Sequence, residues 1–101
     1  MNVAETILSQ LGGNRFVVMT GAKNLLSDTA ALSMRLPSRK VTHVRITLDP
    51  SDTYTVLFLR MRGYQVTEVV RVSDVYADSL REVFTRYTGL ETSLGTMSAG
   101  R

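Results

Sequence analysis

The chain has 101 residues and a formal net charge of +3, with no cysteine, no tryptophan and a single histidine, His43. Those absences exclude a disulfide framework, a thiolate nucleophile and a zinc site built from cysteine and histidine. A hydrophobic share of 44% with 21% charged residues fits one globular domain with a modest core, and no apolar run approaches the ~18 residues of a membrane-spanning helix.

Residues 3 to 11 are expected to form a short helix, with Asn2 as its N-cap and Gly12 ending it. Ala4, Ile7, Leu8 and Leu11 recur at helical spacing on one face. This stretch is polar and acidic rather than basic then apolar, unlike a secretory signal, so the expected location is cytoplasmic. After Gly12-Gly13, the continuous apolar run Phe16 to Met19 predicts a strand over Arg15 to Thr20, covered on both faces and broken by Gly21. Asn24 to Ser27 suggests a brief strand before a turn at Asp28-Thr29.

Leu32, Met34 and Leu36 alternate with Ser33 and Arg35, the pattern of a half-buried strand. His43 to Asp49 alternates most clearly, with Val44, Ile46 and Leu48 on one face and His43, Arg45 and Thr47 on the other. Asp49-Pro50-Ser51-Asp52 is a strong turn signal. Tyr54 to Arg62 predicts a long strand, and Gly63 a tight turn into another from Tyr64 to Val72. Short connections make neighbouring strands antiparallel.

Ser73 or Asp74 is expected to cap a helix over 74–88, with Gly89 as its C-cap. Tyr76, Leu80, Val83, Phe84 and Tyr87 form one apolar stripe. Glu82 and Arg86 are an i,i+4 ion pair, and Asp74 and Asp78 suit the positive helix start. The expected fold class is therefore α+β: an antiparallel sheet of about five strands with an N-terminal and a C-terminal helix on one face. A single domain over 1–90 with a flexible tail over 91–101 follows.

No motif for turnover stands out. Thr20-Gly21-Ala22-Lys23-Asn24 lacks the glycine spacing and following helix of a phosphate-binding loop. His43 has no sequence-local acid or nucleophile, and Asp49 and Asp52 fit backbone hydrogen bonding in a turn. The expectation is a protein that is not an enzyme and takes no cofactor or metal.

The remaining signal is basic. Ten of the twelve cationic residues are arginine, which grips phosphate and carboxylate in a planar fork; GC-rich coding accounts for the same bias. Arg35, Arg39, Lys40 and Arg45 surround the earlier hairpin. Arg60, Arg62 and Arg71 surround the Gly63 turn beside Tyr64. An arginine pair next to an aromatic ring on a sheet suits single-stranded nucleic acid, while a solvated hairpin end carries the same residues to protect an edge. Leu25 and Leu26 either anchor their loop or form an exposed contact.

Two stretches carry a resemblance. Gly12-Gly13-Asn14-Arg15-Phe16 with Met19-Thr20-Gly21-Ala22-Lys23-Asn24 resembles a segment of small proteins encoded by bacteriophages, prophages and plasmids. Tyr76-Ala77-Asp78-x-Leu80, Val83-Phe84-Thr85 and Thr88-Gly89-Leu90-x-Thr92-Ser93-Leu94 resemble the C-terminal part of the same group. Together they cover roughly a third of the chain. The group has no assigned activity, so no site residue follows from it. It implies an accessory protein of a mobile element, acting in a bacterial host by binding a host or phage protein, with inhibition of a defence system, anti-CRISPR-like, as one form. A nucleic-acid-binding module and a structural component self-assembling through a sheet edge are the alternatives.

Overall fold

The computed structural model describes residues 3–92. Helices α1 (Val3–Leu11) and α2 (Asn14–Thr20) lead into strands β1 (Lys23–Ser27), β2 (Ala31–Arg35), β3 (His43–Leu48), β4 (Tyr54–Arg62) and β5 (Gln65–Val75). A 3-10 turn at Ala77–Ser79 then opens α3 (Leu80–Thr88). The five strands form one sheet in the order β1-β2-β3-β4-β5, every pair antiparallel. The α+β class, the sheet and the N-terminal helix agree with the sequence reading.

Alternation puts Leu32 and Met34, Val44 and Ile46, and Tyr54, Val56 and Phe58 on the inner face, all buried. Ala4, Ile7 and Leu11 of α1, Phe16 of α2, and Leu80 and Phe84 of α3 complete this core. The rings of Phe16 and Phe84 meet edge to face with centroids 5.0 Å apart, and Tyr87 packs against Phe58 at 5.3 Å. The Tyr54 hydroxyl donates to Gln10 Oε1 at 2.6 Å, tying β4 to α1. Burial raises the Tyr54 pKa, and the Gln10 bond partly offsets that effect.

Two expectations are corrected. Arg15 to Thr20 is helical, because a short apolar run reads alike in a buried strand and a buried helix and the flanking glycines decide. Gly13, at φ 63° and ψ −135°, takes a conformation closed to side chains and turns α1 into α2. Phe16 and Thr20, one turn apart, face the core, while Val18 is 80% exposed. A strand covered on both faces would have buried it.

The second correction concerns the helix expected over 74–88. β5 continues to Val75, which pairs with Tyr54 and is buried, so ladder bonds and burial outweigh the capping signal at Ser73-Asp74. Asp74 has φ 57° where β5 carries an extra residue opposite Tyr54–Val56. Helical structure begins only at Ala77, and Ser79 makes no side-chain cap bond. Tyr76 leaves the stripe and is 64% exposed. Leu80 and Phe84 keep their inward places, Val83 and Tyr87 are half-buried, and Glu82 accepts from Arg86 at 2.9 Å. Of the expected tail, Thr92 is buried; residues 93–101 lie outside the described residues.

Candidate interaction surface

The β4–β5 hairpin is buried at its base and extends past the helices at its distal end. Arg62 pairs with Gln65, leaving Gly63-Tyr64 as the turn, with Gly63 at φ 59° as twisted hairpins require. From Met61 to Val69 every residue is exposed, on both faces. Such a hairpin stands clear of the core. At its tip the Tyr64 side chain is wholly exposed, at 105% of its reference area.

Its two faces differ chemically. Register places Arg60 and Arg62, opposite Thr67 and Gln65, on the side the helices occupy further back. Among the described residues neither arginine has an acidic partner. The other side presents Met61 opposite Val66, which is 55% exposed. It runs on into the outer face of the sheet.

That outer face carries Arg35, Arg45 and Arg71, and the last two are paired with acids. Arg45, opposite Ser33 and Leu57, donates to Asp28 at 2.8 Å and to Ser33 Oγ at 3.1 Å. The Arg45 hydrogen bond, with one from the Thr29 backbone, holds the Asp28 pKa below its ordinary value. Arg71, opposite Leu57, pairs with Glu68 at 3.1 Å. Arg35 lies between Lys23 and His43 and has no acidic partner among the described residues. Arg39 and Lys40 are exposed on the β2–β3 loop, whose backbone bonds to Ser38 Oγ.

The arginines singled out from the sequence therefore do not form one face. Arg35, Arg45 and Arg71 share the outer face, and Arg60 and Arg62 lie on the opposite side. The apolar pair Met61–Val66 and the acid opposing Arg45 were not anticipated. The first follows from the hairpin register and the second from the β1–β2 turn, which brings Asp28 beside Arg45 on β3.

No group of three histidine, aspartate or glutamate residues that could hold a metal ion occurs among the described residues. The His43 Nδ1 lies 2.9 Å from Thr42 Oγ1. Asp49 accepts from Thr55 Oγ1 at 2.6 Å, and its carbonyl accepts from the Asp52 backbone at 3.0 Å, so this turn uses its carboxylate structurally. No described helix is long and apolar enough to cross a membrane.

Comparison with family models, with curated proteins and with solved structures finds no match to this chain. Phe16, near the start of the described residues, packs on Phe84, near their end.

Proposed function

We propose that this is a small non-enzymatic binding protein that acts by contact, using the β4–β5 hairpin and the adjoining outer face to hold another protein. The observation that carries the reading is the hairpin from Met61 to Val69, exposed on both faces with Tyr64 bare at its tip. Tyrosine and arginine with flanking apolar residues are the usual anchors of protein interfaces. The mixed charge of the outer face, where Asp28 and Glu68 answer Arg45 and Arg71, suits a protein better than a polyanion. The resemblance of the two ends extends the proposal to a mobile-element accessory protein in the bacterial cytoplasm, with a host defence component as one partner class.

The test is capture from nuclease-treated host lysate by the parent chain and by Tyr64→Ala and Arg62→Glu variants of unchanged fold. A partner kept by the parent and lost by both variants supports the reading. A partner held equally by all three removes the hairpin from it.

Nucleic acid is the second reading, favoured by Arg60 and Arg62 standing without acids beside Tyr64. Affinity for a single strand would then fall steeply with salt as counterions are released. Tyr64→Ala would cost about 1–3 kcal/mol if the ring stacks on a base. Fluorescence anisotropy showing no binding at low salt would remove this mechanism. Light scattering that gives a monomer at working concentration would do the same for self-assembly through a sheet edge.

A further inference from the structure

Lys23 and Arg35 lie directly opposite each other where β1 pairs with β2. Like charges in that position repel, and among the described residues no carboxylate pairs with either. Edge protection asks for one charge on β1, not for a second one facing it.

Two surface depressions of about 390 Å³ each adjoin this pair and share Asn24 and Arg35. The first has a mixed lining, with Lys23, Arg35 and Ser38 on its walls beside Leu36 and Pro37. Ser38 Oγ accepts from the backbone of Lys40 and Val41, which leaves its own O–H free to donate. The second lies on the outer face and is lined by Leu26, Leu59 and Met61 with His43 beside them. Leu26 is 66% exposed, an apolar side chain with no core to fill. The β1 register slips between Lys23 and Leu26, with Asn24, which lines both depressions, at φ 52°.

We infer that these two depressions together form a binding site for a phosphate monoester carrying an aromatic body. The phosphate lies between Lys23 and Arg35, with the Ser38 hydroxyl as a further donor, and the ring rests on Leu26, Leu59 and Met61. The anion relieves the repulsion that the fold otherwise tolerates, and the arginine fork and lysine ammonium match its oxygens. Each depression falls within the size range of small-ligand sites. This site is separate from Tyr64 at the hairpin tip and shares Met61 and the outer face with the surface proposed for a protein partner, but its argument does not depend on that reading.

The experiment is a titration of the isotope-labelled full chain with phenyl phosphate, followed by amide and side-chain NMR shifts. Saturable changes at Lys23, Arg35, Leu26 and Leu59 are expected. Inorganic phosphate should bind more weakly than phenyl phosphate. Lys23→Gln and Arg35→Gln should each weaken binding about 10-fold, the worth of one charge-assisted hydrogen bond. Leu26→Ser should weaken phenyl phosphate but not inorganic phosphate. Because all three side chains are exposed, the variants keep the fold, and removing either cation should hold or raise the melting temperature at low salt. Thymidine 5′-phosphate and phosphotyrosine carry the same chemistry, and the tighter of the two assigns its source as nucleotide or phosphopeptide. The inference is overturned by no saturable change up to about 10 mM, by an Arg35→Gln chain that binds as well as the parent, or by equal binding of inorganic phosphate.

Discussion

Two threonines do the same work at the ends of two helices. Thr20 Oγ1 donates to the Phe16 carbonyl at 2.7 Å and accepts from the Ala22 N–H at 3.2 Å. Thr88 Oγ1 donates to the Phe84 carbonyl at 2.8 Å and accepts from the Leu90 N–H at 3.1 Å. Each is followed by a left-handed glycine cap, Gly21 and Gly89. The hydroxyl thus bonds back to the carbonyl four residues earlier and satisfies the first N–H beyond the cap. Thr20→Val keeps the shape and removes both bonds, leaving the N–H of buried Ala22 without a partner. The expected loss is about 1–3 kcal/mol, read as a lower urea midpoint; Thr88→Val falls at the low end because Leu90 is only half-buried. A second residue-scale outcome concerns Asp28. Its lowered pKa means the carboxylate contributes stability above the ordinary carboxylate range, and that contribution is lost as pH falls through the lowered value. Arg45→Gln should move the Asp28 titration upward towards its ordinary value in a carboxyl NMR titration. An unmoved titration would mean that the pair does not form in solution.

At the level of elements, the long β4–β5 hairpin is two structures in one. Its base, at Tyr54, Val56 and Phe58, is buried under the helices. Its distal half, from Met61 to Val69, is exposed on both faces and is held by its own ladder, by the Glu68–Arg71 pair and by one bond from the Met61 N–H to Thr42 Oγ1 at 2.8 Å. Val69 is an extra residue in β5, between the pairs Phe58–Val70 and Leu59–Glu68, and marks where the two halves join. Amide exchange should divide there. The amides of Val56 and Phe58 should exchange only with global unfolding, and the hairpin amides beyond Val69 should exchange by local opening. Equal protection along the whole of β5 would show the hairpin to be part of the core. Part of this is legible in the sequence: Val44 and Ile46 alternate with His43 and Arg45 on β3, and Gly63 marks the turn, whereas Val56 to Leu59 is a continuous apolar run that does not show which side is buried. What stayed hidden has a physical cause in each case. Phe16 to Met19 carries no period to separate helix from strand, and the end of β5 depends on how far β4 offers it a partner. Parity put Arg60 and Arg62 on one side, but only the packing of the helices shows that Arg45 and Arg71 lie on the other.

For the whole molecule, folding and contact are assigned to opposite parts. Helices α2 and α3 close the core together: Phe16 and Phe84, 68 positions apart in the chain, meet edge to face, and both are fully buried. Removing either ring should cost about 3–5 kcal/mol. A domain of this size has only about 5–15 kcal/mol in total, so Phe16→Ala or Phe84→Ala should leave a chain that melts far below the parent. Because the two rings touch, the double variant should lose less than the sum of the two. The hairpin tip answers to different constraints. Tyr64→Ala and Arg62→Glu replace exposed side chains at the tip, so each should change stability by no more than about 0.5 kcal/mol. Calorimetry on the four single variants separates these classes. A large drop for Tyr64→Ala would place that ring in the folding unit and remove the reason to read it as a contact. A small drop for Phe84→Ala would mean that the two ends fold independently of each other, against the shared core in which their segments meet.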